Sequence, residues 1–249
     1  MAESDPSEPG YRLLDCGDRA LTIELGSEVD EIVNARVLAL DDALCDAGLA
    51  GLIETVPTYR SLLVLYDPDV LSRATLAAWM ADRWPPPDTD VGRRRRWRVP
   101  VHYGGEYGAD LESLAEGAGL EPEEVVALHA GRDYRVYMIG FAPGFAYLGG
   151  LDRRLHASRR TDPRPKTPAG SVSIGGNQTG ISPPLELPSG WQLIGRTPAR
   201  SYDPARSEPF LFAAGDLIRF DPIDLATYDE LTAAALAGDL VATMEVLDG

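Results

Sequence analysis

Cysteine is scarce in this 249-residue chain: only Cys16 and Cys45 occur, neither at a metal-binding or redox spacing. A disulfide framework is therefore not what organises the fold, and a reducing compartment is the natural reading. Histidine is almost as scarce. His102, His129 and His156 lie far apart with no Cys or His partner at ligand spacing, so each reads as structural or surface, and no metal site is evident. There is no G-x-x-x-x-G-K-[ST] phosphate loop; Gly175-Gly-Asn-Gln-Thr-Gly180 is glycine-rich but carries no lysine. The G-x-S-x-G nucleophile elbow is missing as well. No apolar run approaches the ~20 residues needed to span a bilayer. Residues 1–10 are acidic and polar, without the basic start and apolar core of a signal peptide. These absences predict a soluble, cytoplasmic protein. Basic charge is also in deficit: 23 Lys and Arg face 39 Asp and Glu, a net −16 at pH 7. Such a surface repels nucleic-acid phosphate and anionic lipid, so neither a nucleic acid nor a membrane is expected as a partner.

What is present suffices for a buried core, with 44% hydrophobic residues over a length that allows one large domain or two small ones. Residues 1–10 read as a disordered tail. Residues 11–84 alternate as β-β-α-β-β-α, an α+β domain. Leu21, Ile23 and Leu25 alternate with Thr22 and Glu24 on its second strand, and residues 31–47 form a helix striped by Ile32, Val33, Leu38, Leu40 and Leu44. Residues 85–97 read as a linker, with three prolines followed by Arg93-Arg-Arg-Arg-Trp-Arg98. In so acidic a chain these arginines are expected to meet acidic surface elsewhere on the chain or its partner rather than nucleic acid. Residues 98–223 form the second domain. Two short helices come first, one capped by Asp110 and one opened by Pro122. Short strands separated by Gly/Pro turns follow, the pattern of a β-barrel or sandwich. Residues 224–249 read as a helical tail.

The chemically specific stretch is residues 134–197. Phe141, Phe145 and Tyr147 surround the Pro143-Gly144 turn and could lean over a pocket, or could simply fill a barrel corner. Gly175 and its neighbouring glycines allow close backbone approach. Ser171, Asn177, Gln178 and Thr179 supply uncharged donors and acceptors that suit a small amide or carboxylate ligand better than a metal. Arg164, Lys166 and Arg196 could supply positive charge for a carboxylate or phosphate, and Arg60 is a further cation on the first domain. No Ser-His-Asp order is evident, so any acid–base apparatus would come in part from another chain.

These motifs resemble a known family. Gly140-Phe-Ala-Pro-Gly-Phe-Ala-Tyr-Leu-Gly-Gly150, Pro168-Ala-Gly-Ser-Val172, Gln178-Thr-Gly-Ile181 and Trp191-Gln-Leu-Ile-Gly-Arg-Thr-Pro198 closely resemble the family of 5-oxoprolinase B subunits, also called KipI-like or allophanate hydrolase subunit 1. Gly17-Asp-Arg-Ala-Leu21, Tyr59-Arg-Ser-Leu62 and His102-Tyr-Gly-Gly-Glu-Tyr-Gly108 extend the match over roughly residues 11–223. The resemblance implies an α+β N-terminal domain followed by a mainly-β cyclophilin-like barrel. It implies work with a homologous C subunit and an A subunit in the ATP-dependent opening of 5-oxoproline to glutamate, with ATP bound together with partner subunits and the chain inactive alone. Relatives also act as inhibitors of a sensor histidine kinase, or form part of a urea carboxylase-type carboxyltransferase. On this reading Gln178, Lys166 and Arg196 are the catalytic candidates. Arg164, Ser171, Gly175, Thr179, Phe141, Phe145 and Tyr147 are the substrate-binding ones. Ser182 and Ser189 stand where the family commonly has Tyr and Gly, which bears on substrate choice and not on the fold.

Overall fold

The computed structural model describes residues 10–86 and 94–247. Nearly all of the expected tail, and residues 87–93 of the expected linker, lie outside them. The chain divides into two compact units, Met1–Gly92 and Arg93–Gly249.

In the first unit, strands β1 (Arg12–Asp15), β2 (Ala20–Glu24), β3 (Leu52–Pro57) and β4 (Ser61–Tyr66) form an antiparallel sheet in the order β1-β2-β4-β3. Helices α1 (Glu31–Asp46) and α2 (Arg73–Arg83) complete it. Period-two alternation sends Leu21 and Ile23 of β2 and Leu62 and Val64 of β4 into one core, all fully buried. Asp30 caps α1 by accepting from the Ile32 and Val33 amides, and Ser72 caps α2 by accepting from Thr75 N. The buried stripe of α1 is Val37, Leu40 and Leu44 with Asn34, whereas Ile32 is 65% exposed. Asn34 keeps its place in the core because its Nδ2 donates to Thr58 O at 3.1 Å.

The second unit begins with strand β5 (Arg94–Tyr103) and helices α3 (Leu111–Ala118) and α4 (Pro122–Ala130). The strands that follow are β6 (Asp133–Ile139), β7 (Ala146–Gly149), β8 (Arg164–Thr167), β9 (Ser171–Gly175), β10 (Gln178–Ile181), β11 (Leu187–Ser189), β12 (Gln192–Arg196) and β13 (Leu217–Pro222). Helix α5 (Leu225–Ala237) and strand β14 (Thr243–Leu247) complete it. Seven strands close on themselves in the order β12-β9-β10-β7-β6-β13-β5, with β5 returning to β12. Only the β13–β5 pair is parallel within this ring. The inward positions are Trp97, Val99, Val101, Tyr134, Val136, Leu148, Val172, Ile174, Ile181, Ile194, Ile218 and Phe220, while Leu111, Leu114 and Val125 pack onto the same core from α3 and α4. Strands β8 and β11 form a separate two-stranded arm.

Three expectations change here. Residues 94–97 are strand, not linker. Arg95, Arg96 and Arg98 along it each find a carboxylate of this chain, so charge does not prevent pairing. Arg96 meets Glu245 (2.5 Å) and Asp133 (3.4 Å), and Arg98 meets Asp221. Arg95 grips Asp216 through Nε (2.8 Å) and Nη2 (3.0 Å), and the Trp97 indole donates to the same carboxylate at 3.0 Å. Second, the segment from 224 is not wholly helical: after α5, β14 pairs antiparallel with the first half of β5, Thr243 to Leu247 against Arg98 to Arg94. Third, Asp110 makes no side-chain cap bond to α3. Its carboxylate is occupied by Leu193 N (2.7 Å), Arg164 (2.6 Å) and Arg160 (3.5 Å).

Candidate functional site

Strands β7, β9 and β10 form one wall of the barrel, and their alternation decides which side chains are available outside it. Val172, Ile174, Ala146, Leu148, Thr179 and Ile181 point inward, so Tyr147, Ser171, Ser173, Gly175, Gln178 and Gly180 occupy the outer face. The Trp191 ring lies across that face. A Cβ on Gly175 would come within 2.5 Å of the indole, and one on Gly180 within 3.0 Å, so the glycines make room for tryptophan and not for a ligand. Phe145 packs edge-on to Trp191 (5.8 Å between ring centroids) and lies 4.7 Å from Tyr147. Phe141 ends the cluster at 5.9 Å from Phe145, held at φ 67° and 67% exposed. A non-glycine residue in the left-handed region carries backbone strain.

Gln178 sits at the rim of this aromatic cluster. It pairs with Gly175 across β9, and Gly180, two residues on, pairs with Tyr147 of β7. Gln178 and Tyr147 are thus diagonal neighbours on one face. Arg159 completes the rim, its guanidinium 5.7 Å from the Trp191 ring centroid. Burial raises the Tyr147 pKa, and the Arg159 charge opposes that shift. Sequence reasoning left Trp191 inside a motif without a site role, and it missed Arg159. A Gly-x-x-x-x-Gly spacing around a turn, with a tryptophan further on, was the signal that an indole needed a floor.

The remaining candidates do not converge on this rim. Ser171 is buried and its hydroxyl donates to Pro168 O at 2.7 Å. Arg164 is held by Asp110, so it is not open to an anion. Lys166 stands on the exposed β8–β11 arm, 3.2 Å from Glu186. Arg196 pairs with Ser171 at the far end of β9 from Gly175 and Gln178, four residues or ~13 Å away at ~3.3 Å per residue.

Thr179 points into the barrel, where it joins a buried polar string. Its Oγ1 donates to Ser173 O (3.0 Å), so it accepts from His129 Nε2 (2.9 Å). That places the imidazole proton on Nε2 and leaves Nδ1 to accept from the Tyr103 hydroxyl at 2.8 Å. The Tyr134 hydroxyl donates to His129 O at 2.8 Å, and Phe220 stacks on the imidazole at 4.6 Å. Desolvation pushes the His129 pKa down to about 3 and the Tyr103 and Tyr134 hydroxyls upward. The string is neutral and fully satisfied, which suits a core and not a reaction centre. Among the described residues no group of three or more His, Cys, Asp or Glu side chains could hold a metal ion, and no helix is long and apolar enough to cross a membrane.

A closed barrel with an aromatic rim, preceded by a four-stranded sheet with two helices, can be compared with known proteins. The chain belongs to the carboxyltransferase domain family, subdomains C and D, whose model matches residues 11–212. Within it, a Bacillus subtilis (strain 168) protein named as the B subunit of 5-oxoprolinase is 40% identical over 229 residues, covering 88% of this chain and 95% of that protein. The resemblance drawn from the motifs is therefore borne out. The crystal structure of TTHA0988 matches with a TM-score of 0.74 at 40% identity over 83% of this chain, which spans only 40% of that longer one. Kluyveromyces lactis urea carboxylase matches with a TM-score of 0.81 at 18% identity, covering all of this chain and 25% of that one, a likeness of fold alone.

Proposed function

We propose that the chain is the B subunit of an ATP-dependent 5-oxoprolinase, working with the A and C subunits of that complex to open the lactam of 5-oxoproline to glutamate. The observation that carries this reading is the 40% identity to the Bacillus subtilis protein of that name across 95% of its length. We also read the barrel as cyclophilin-like, on the motifs shared with that family, and the location as cytoplasmic.

The chemistry follows from what the rim offers. A lactam presents one N–H and one C=O on the same edge, and the side-chain amide of Gln178 carries the complementary C=O and NH2. The aromatic faces of Tyr147 and Trp191 give a small ring an apolar bed, and Arg159 adds a cation for charge that develops on the lactam oxygen. An amide resists water at neutral pH, so the oxygen is first phosphorylated by ATP. Transfer of the phosphoryl group releases ADP; water then attacks the carbonyl carbon and the ring C–N bond breaks as the nitrogen takes a proton, leaving a γ-glutamyl phosphate that a second water hydrolyses to glutamate and phosphate. The sequence has no phosphate loop, so in this reading ATP enters as co-substrate through the partner subunits. Thr179 and Ser171 act as framework beneath the rim, because their hydroxyls are already engaged.

The test is 5-oxoproline-stimulated ATP hydrolysis by the reconstituted three-subunit mixture. Turnover is expected only with all three present and is expected to fall at least tenfold with Gln178→Ala. Full turnover without this chain would remove the reading. The family match to carboxyltransferase domains favours one second reading, a role in carboxyl transfer; biotin-dependent carboxyl transfer by the same mixture, without lactam hydrolysis, would select it.

A further inference from the structure

We infer that Arg196 forms a separate binding site for a small carboxylate, at the end of β9 remote from Gln178. Most arginines around the barrel have a carboxylate of this chain to hold: Arg95 with Asp216, Arg98 with Asp221, Arg132 and Arg154 with Asp152, Arg164 with Asp110 and Arg219 with Asp133. Arg196 has none among the described residues. Its Nε is buried with no hydrogen-bond partner, and its Nη2 reaches Glu106 O at a long 3.5 Å. A half-buried guanidinium with an unused donor is destabilising unless an acceptor arrives.

The surroundings are built and aromatic. The guanidinium carbon lies 4.8 Å from the Tyr107 ring centroid. Tyr107 meets Tyr228 of α5 edge-on at 4.9 Å and His102 of β5 edge-on at 5.0 Å. His102 is fixed by its Nδ1, which donates to Ile223 O at 3.0 Å because a carbonyl can only accept. Nearby Asp224 does not compete for the cation, since it caps α5 by accepting from Thr227 N at 2.8 Å. Burial raises the Tyr228 pKa, and the Arg196 charge together with a hydrogen bond from Arg196 pulls it back, so the phenol oxygen lines the same place.

The protein supplies its own template for the ligand. Arg95 and Arg98 each grip a carboxylate side-on through Nε and Nη2, at 2.8 and 3.0 Å and at 2.9 and 2.6 Å. The corresponding fork on Arg196 is the same Nε and Nη2 pair, which matches the planar spacing of two carboxylate oxygens. The ~13 Å to Gln178 exceeds the span of a five-membered lactam, so one molecule of 5-oxoproline cannot use both places. The site therefore stands whether or not the lactam reading does.

The experiment titrates the full 249-residue chain with acetate, 5-oxoproline or inorganic phosphate, following the Arg196 Nε–H signal by nuclear magnetic resonance and the heat by calorimetry. The expected result is saturable binding of acetate and 5-oxoproline. Acetate binding weakens at least tenfold in Arg196→Gln, less in Arg196→Lys, which keeps the charge without the fork, and not at all in Lys166→Ala, whose cation stands on the exposed β8–β11 arm. Binding of phosphate alone, no binding in the wild-type chain, or equal binding in wild type and Arg196→Gln each overturns the site. Binding of 5-oxoproline lost only in Gln178→Ala overturns it while supporting the rim.

Discussion

Arg164 and Arg196 belong to the same barrel, and both read from the sequence as cations for an anionic ligand. Arg164 reaches Asp110, a carboxylate that also accepts from Leu193 N and Arg160. Arg196 reaches an aromatic ring, a phenol and a distant backbone carbonyl. The first is anchored in the framework by a carboxylate, and the second is the cation of the carboxylate site inferred above. Local sequence does not separate them, since each lies close to a proline in a motif of small residues. What separates them is a carboxylate some fifty residues upstream of Arg164 in one case, and none among the described residues in the other.

Four substitutions or titrations would break or sharpen that contrast. Asp110→Ala turns Arg164 into a second arginine without a carboxylate and leaves the Leu193 amide without its acceptor. Removing one member of a buried ionic group costs about 3–5 kcal/mol, so the denaturation midpoint should fall markedly in urea. Thr179→Val makes the same kind of vacancy without charge. The Nε2–H of His129 would lose its acceptor, at about 1–3 kcal/mol, read in the same titration.

The third is a pH dependence. His129 titrates near 6.5 when unfolded and at about 3 in the fold, because burial disfavours the imidazolium. Below pH 6.5 the unfolded chain therefore binds a proton that the folded chain refuses. The stability associated with the neutral ring is complete above pH 6.5 and is lost as pH falls toward 3, by up to about 1.4 kcal/mol per pH unit. Urea midpoints measured across this window for wild type and His129→Gln should diverge with that sign. A flat difference would show that the ring is not desolvated. The smallest effect belongs to Lys166→Ala, which removes an exposed pair with Glu186 and should change stability by less than about 0.5 kcal/mol. If the Asp110 and Lys166 variants were equally stable, the distinction between framework and free cations would fail.

Much of the fold was legible because burial follows a short period. Leu21 and Ile23, or Val172 and Ile174, alternate so strictly that strand and inward face are read together. The first half of β5 was hidden because its outward positions are arginines, and a run of cations reads as solvated until the acids that neutralise it are located. Those acids, Asp133, Asp216, Asp221 and Glu245, lie far along the chain. β14 was hidden by its brevity, although Gly238, in the left-handed conformation, ends α5 a few residues ahead of it. The aromatic rim was half legible: Phe145, Tyr147 and Gln178 are near each other, but Gly175 supports Trp191 rather than a ligand. Thr179, a substrate-binding candidate in the sequence, faces the barrel interior; a single threonine gives no indication of which way a strand is turned. His129, fifty residues away, decides it.

The pairing of β14 with the first half of β5 also bears on how the protein can be handled. Residues 243–247 cover the backbone of Arg94 to Arg98 along one edge. Cutting the chain after Gly238 would spare α5 and the seven-stranded ring, yet it would uncover five residues of strand with unsatisfied amides and carbonyls. An open edge of that kind recruits another copy. By covering that edge, β14 guards the first half of β5 against pairing with another copy.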